Sequence, residues 1–149
     1  MNDPNIKNGA GEPAGLVTRR QARRDAMVVL YQMDLTGGGL EELLGNLEAE
    51  TGHAADRFTR EDVEGVLARR EDLDSVIDAA SESWPAHRLA ALERNILRLA
   101  AYEIMERPDI PAEVSIDEAV ALSKRFCSRE AGALINGILG KIAQEARQR

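Results

Sequence analysis

The chain reads as an all-α protein, and three observations carry that expectation. Every periodic apolar segment repeats at helical spacing, and none sustains the alternation of a strand. Aromatic residues make up only 3% of the chain while alanine, leucine and charged residues dominate, a composition suited to helices packed on helices. Glycine and proline fall mainly between the apolar stripes, where they end helices. With 149 residues and 44% hydrophobic content the chain can bury one core. We therefore expect a helical bundle of about six to seven helices. A single domain is placed over residues 18–149, behind a disordered tail at 1–17 rich in Asn, Gly and Pro.

Thr18 is placed to cap a first helix, which carries Ala22, Ala26, Val29, Leu30 and Met33 inward and stops at Gly37-Gly38-Gly39. A short second helix with Leu40, Leu43, Leu44 and Leu47 ends near Gly52, and residues 53–58 read as a loop. Thr59 and Asp62 have the spacing of a capping start. They would open one long third helix with Val63, Val66, Leu67, Leu73 and Ile77 inward and residues 69–72 exposed. Pro85 suits the first turn of a fourth helix, about 86–106. Its apolar residues, among them Leu89, Ile96, Leu97, Leu99 and Ile104, wrap widely enough to place it at the centre. Pro108 and Pro111 end it. A fifth helix covers about 112–126, with Ile116, Ala119, Val120 and Leu122 inward. Ser128 caps a sixth, whose stripe is Ala131, Leu134, Ile135, Ile138, Leu139 and Ile142. Within that stripe, Gly137 is expected to admit a neighbouring backbone and Asn136 to fix a loop.

Charge is distributed unevenly. The formal net charge is −7, yet residues 41–82 alone carry 13 acids against 4 bases. Against that background Arg19, Arg20, Arg23 and Arg24 crowd the start of the first helix, where the helix dipole disfavours cations. On a helical projection Arg20, Arg23 and Arg24 share a side with Met27 and Tyr31. Guanidinium groups fork onto phosphates, and a ring beside them can stack on an unpaired base. The pattern fits a nucleic-acid face, or equally a solvated face whose arginines pair with the acidic middle of the chain.

Catalytic groups are scarce. Glu50 and His53 form one Glu-x-x-His, but di-metal bundles need two, and Trp84 stands three residues before His87. No metal or other cofactor is expected. There is no phosphate loop and no nucleophile elbow. Cys127 is alone, so no internal disulfide forms, which suits a reducing cytoplasm, and an inert packed thiol is the expected role. No apolar run approaches a membrane span, and the first residues lack the apolar core of a signal peptide.

Four blocks carry a family likeness: RRQARRDAMVVLYQMDL at 19–35, ILRLAAYEI at 96–104, DIPAEVSIDEAVALSKRF at 109–126 and INGILGKIA at 135–143. Together and in this order they resemble the NusB transcription antitermination factor family. The resemblance implies two packed three-helix bundles and no catalysis. It implies binding of single-stranded boxA RNA from ribosomal RNA leader transcripts, together with the ribosomal protein NusE, in the transcription elongation complex. The matching positions make Arg19, Arg20 and Arg23 the RNA-facing arginines, with Tyr31 where the RNA and NusE surfaces join. Glu93 falls at the NusE contact, and Glu130 and Leu134 fall where the last helix meets RNA.

Three positions depart from the family pattern. Gln21 replaces a frequent basic residue, for which Arg24 can compensate; Asp117 stands where asparagine is usual; and Leu134 stands where an aromatic is usual. Each contact position also has a plainer reading: Glu93 as a carboxylate near a helix N-terminus, and Leu134 as part of the core stripe. Two other functions remain open at this stage, an RNA-binding module of an rRNA methyltransferase and a protein-only helical adaptor. Monomer and homodimer are equally open.

Overall fold

The computed structural model describes residues 17–81 and 89–147, and in them seven helices. These are α1 (Arg19–Thr36), α2 (Leu40–Thr51), α3 (Arg57–Ala68), α4 (Arg70–Ala80), α5 (Ala91–Glu106), α6 (Ala112–Phe126) and α7 (Arg129–Arg147). Residues 1–16 of the expected tail, Pro85 and the first residues of the expected fourth helix lie outside the described residues. Helices α5, α6 and α7 pack on one another, α1 packs on α2 and α3, and α5 also lies against α1, α3 and α4. The all-α expectation holds, and α5 is the central helix: Ile96, Leu97, Leu99, Ala100 and Ala101 are all buried in the main core.

Helix starts and stops follow local chemistry. Thr18 Oγ1 accepts from Gln21 N–H at 3.1 Å, and Gln21 Oε1 accepts from Thr18 N–H at 3.2 Å, which closes a capping box. Gln21, at a position expected to be basic, thus serves the helix itself. Gly37 and Gly52 end α1 and α2 in the left-handed conformation, at φ 71° and 83°. Ser128 Oγ caps α7 by accepting from Ala131 N–H at 3.0 Å.

The middle of the chain departs from expectation. Asp56, not Thr59, caps α3, accepting from Phe58 N–H at 2.9 Å. The buried Thr59 hydroxyl instead donates to Ala22 O at 2.9 Å and so binds α3 to α1. The single third helix is two helices that break at Arg69. No glycine or proline marks the break. It follows from partners: α3 lies on α1 and α5, whereas α4 turns to reach α5 and α7. Helix α5 begins at Ala91 rather than near residue 86. Asn136 and Gly137 lie exposed inside α7, and a Cβ at Gly137 would meet nothing within 4 Å. The close approach comes at Gly132, where a Cβ would lie 3.0 Å from Lys124 Cγ, and at Gly65, where it would clash with the Tyr102 ring at 2.0 Å.

Two charge networks tie α1 to α5. At the C-terminal end of α1, Asp34 accepts from Asn95 Nδ2 (2.9 Å), Arg70 (2.9 Å), Arg98 (3.1 Å) and Arg94 (3.2 Å). Arg98, itself buried, also grips Asp74 of α4 through two bonds of 2.7 and 2.9 Å. Burial pushes the Asp34 carboxyl up, but the Asn95 hydrogen bond and the arginines outweigh it and hold the group below its usual range.

At the N-terminal end, Glu103 accepts from Arg23 Nε and Nη2 at 3.0–3.1 Å and from Ser115 Oγ at 2.8 Å. Asp62 of α3 approaches the same carboxylate, and its Oδ1 accepts from Arg107 Nη1 at 2.9 Å. Its buried Oδ2 finds no donor. Two carboxyl groups meet in this way when one keeps its proton and donates it. Burial and the hydrogen bond to Glu103 push Asp62 up to about 9, while the interactions with Asp62, Arg23 and Ser115 lower Glu103 against its own burial.

Because the folded value for Asp62 lies above its ordinary 3.8, the folded chain holds one more proton at this group than the unfolded chain between roughly pH 4 and 9. Its contribution to stability is full below that window and declines as pH rises through it. Asp62→Asn, which keeps a donor and loses the titration, should therefore raise stability at pH 8. In urea melts across pH, the wild-type unfolding constant should rise relative to the variant by up to about tenfold per pH unit. A variant less stable than wild type at pH 8, with a parallel pH profile, would mean that Asp62 is ionised.

Candidate nucleic-acid interface

The four arginines of α1 divide into two i,i+4 pairs that face different neighbours. Arg19 and Arg23 point toward α3. Their guanidinium carbons lie 4.2 and 5.1 Å from the centroid of the Phe58 ring, with Arg107 at 4.6 Å, so three cations surround one ring. Arg23 is only 5% exposed and is committed to Glu103. Arg23, expected among the RNA-facing arginines, is thus buried here, while Arg20 stays exposed. Met27, grouped with it on the projection, is likewise buried. The buried arc of α1 is wider than its apolar stripe because α3 and α5 cover it from two directions. Arg19 remains at the surface.

Arg20 and Arg24 point toward α6. With Thr18, Glu118 and Arg125 they line an open cleft of about 440 Å³ between the two helices. Arg20 donates from Nε and Nη2 to the two oxygens of Glu118, at 3.1 and 2.9 Å. Among the described residues Arg24 reaches only its neighbour Asp25, at 3.4 Å, and its Nε is buried without a partner. Farther along the same helix, Tyr31 is half-buried, so part of its ring remains accessible.

The cleft continues onto residues that the apolar pattern did not single out. Arg125 stacks over the Phe126 ring at 5.0 Å, and Phe126 is 39% exposed. An aromatic beside two bases at the end of a helix, outside its inward stripe, was the available signal. Leu134 is 36% exposed, so it does not belong to the core stripe of α7, whose other members are buried. Glu130 is exposed in the first turn of α7. At the cleft itself, Arg125 and the exposed Phe126 ring set a basic group beside an apolar one, a pairing that can meet both a phosphate and a base.

Glu93 lies in the first turn of α5, where its Oε1 accepts from Ala90 N–H at 3.2 Å. Its plainer reading as a helix-terminal carboxylate describes a real contact, and the side chain remains half-exposed. Nearby, burial and the Glu93 charge both raise the Cys127 thiol, which disfavours a reactive thiolate. Asp117 is exposed on α6. Among the described residues no group of three or more His, Cys, Asp or Glu is placed to hold a metal ion, and no helix is long and apolar enough to cross a membrane.

The transcription antitermination protein NusB of Rubrobacter xylanophilus is 44% identical over 123 residues, covering 83% of this chain and 88% of that protein. Its counterpart in Desulforapulum autotrophicum is 41% identical over 128 residues, covering 83% and 90%. Among solved structures, NusB of T. maritima superposes with a TM-score of 0.78 at 34% identity, covering 87% of this chain and 92% of that one. The NusB chain in a crystal structure of antitermination factors NusB and NusE with double-stranded RNA matches with a TM-score of 0.78 at 28% identity, covering 85% and 96%. The NusB family model matches residues 20–144. With that match spanning nearly all of the described helices, the chain belongs to the NusB family.

Proposed function

We propose that this protein is a non-enzymatic, cytoplasmic transcription antitermination factor. In this reading residues 18–149 act as one module that binds single-stranded boxA RNA together with NusE within the elongation complex. The observation that carries it is the basic cleft between α1 and α6. Arg20, Arg24 and Arg125 converge there beside the exposed Phe126, on a chain whose net charge is −7. A polyanion is drawn to that surface and repelled by the acidic helices α2 to α4. The relatives named above and the solved NusB–NusE–RNA complex support the same assignment. Exposed rings favour an unpaired strand, whose bases are free to stack. Arg19, Arg20, Arg24, Tyr31, Phe126, Glu130 and Leu134 form the proposed RNA face, and Glu93 with the edge of Tyr31 the NusE face. Arg23 acts through the position of α1.

Arg20→Ala with Arg24→Ala should weaken boxA binding and flatten its log–log salt dependence by about 0.7 per lost phosphate contact. Tyr31→Ala should instead cost roughly 1–3 kcal/mol with little change of slope. Fluorescence anisotropy on single-stranded boxA RNA and on a duplex of the same sequence separates the two effects. Wild-type affinity and slope in the double arginine variant would reduce the basic face to a solvated surface.

Glu93→Gln retains the cap acceptor and removes only the charge. If Glu93 meets NusE, calorimetry should show weaker NusE binding while the thermal midpoint stays at the wild-type value. Unchanged NusE affinity would leave Glu93 as a helix cap alone.

A further inference from the structure

The cleft between α1 and α6 contains one acid among its arginines. Glu118 is 15% exposed at the cleft wall, while its partner Arg20 is 77% exposed. The pair is a fork: two parallel N–H donors meet two carboxylate oxygens at 3.1 and 2.9 Å. An arginine offers a phosphate this same geometry, so the carboxylate occupies donors that an RNA phosphate would take. Two more cations face the cleft without an internal partner of comparable quality. Arg24 has a buried, unpartnered Nε and a stretched contact to Asp25, and Arg125 rests on the Phe126 ring. The cleft therefore holds more positive charge than its own acid neutralises.

We propose that Glu118 is a specificity-determining residue, an internal stand-in for phosphate that holds Arg20 in the free protein and yields it to RNA. The displaced guanidinium and the cations of Arg24 and Arg125 then receive one phosphate of the strand in the cleft. An ion pair whose arginine is 77% exposed is open to water on one side and weak enough to exchange. Strands that make few other contacts gain little from the exchange, so Glu118 penalises indiscriminate polyanion binding more than binding of the correct RNA. This inference rests on the RNA-binding reading and adds to it a residue that the family blocks do not mark as a contact.

The test compares full-length wild type with Glu118→Gln by anisotropy across a salt series. The probes are single-stranded boxA RNA and a scrambled strand of equal length. Glu118→Gln should bind both strands more tightly, roughly two- to fivefold at low salt, with the larger gain on the scrambled strand. On the scrambled strand its salt slope should steepen by about 0.7, the signature of one added phosphate contact, while on boxA RNA, where Arg20 already meets the phosphate, the slope should stay at the wild-type value. The gain should vanish when Arg20→Ala is combined with it. Glu118→Ala serves as a second variant, since among the described residues Glu118 accepts side-chain hydrogen bonds from Arg20 alone. Unchanged affinity and slope, or a gain that persists without Arg20, would overturn the proposal. Weaker binding by a variant with wild-type thermal midpoint would also overturn it, because Glu118 would then orient Arg20 for RNA. If wild type binds neither strand, the RNA-binding reading itself fails.

Discussion

The buried carboxylate of Glu103 is the contact on which the geometry of the interface depends. It lies on the central helix and gathers Arg23 from α1 and Ser115 from α6, with the raised carboxyl of Asp62 from α3 beside it. Removing these groups from water is costly, and an ion pair of this kind is weak evidence for net stability. Its effect here is positional. A carboxylate that accepts a two-nitrogen fork from Arg23 admits one rotation of α1 about its axis. That rotation sends Arg19 toward Phe58 and sends Arg20 and Arg24 into the cleft with α6.

The Asp34 network does the same at the far end of α1. Three arginines and Asn95 converge on one carboxylate, and Arg98 carries the link on to Asp74. Helix α1 is thus held at both ends by charge against α5 and along its length by Ala22, Ala26, Val29 and Leu30. In the proposed RNA-binding reading, a helix held in this way presents Arg20 and Arg24 from a fixed backbone, which lowers the entropic cost of meeting a ligand. Neighbouring acids limit how freely those cations act. Arg20 is paired with Glu118, and Arg23 is withdrawn altogether.

Much of the fold was legible because helical period and end signals are local. The capping box at Thr18, the glycine stops at Gly37 and Gly52, the span of α6 and the Ser128 cap all appear where local chemistry places them. The break at Arg69 was not legible: Val66, Leu73 and Ile77 keep one helical phase across it, and the bend answers to partners distant in sequence. The acidic pair Glu71 and Asp72, favoured in a first turn, was the local hint. The same limit explains the arginine face. A projection gives the direction of each side chain but not what waits there, so Arg23 looked equivalent to Arg20 although Glu103 lies 80 residues away. Leu134 erred in the opposite sense, keeping the period of the stripe while lying just outside the packed arc. Arg125, Phe126 and Glu118 were missed because they matter only once α6 lies beside α1.

The most direct measurement of this account is a double-mutant cycle on Arg23→Ala and Glu103→Ala, read by urea unfolding at neutral pH. If the buried pair positions α1, each single variant should lose roughly 3–5 kcal/mol, because each leaves an uncompensated buried charge. The double variant should recover part of that loss, for a coupling of about 1–3 kcal/mol. Additive losses, with coupling near zero, would show that Arg23 and Glu103 do not act as a pair. The placement of the arginine row would then need another cause.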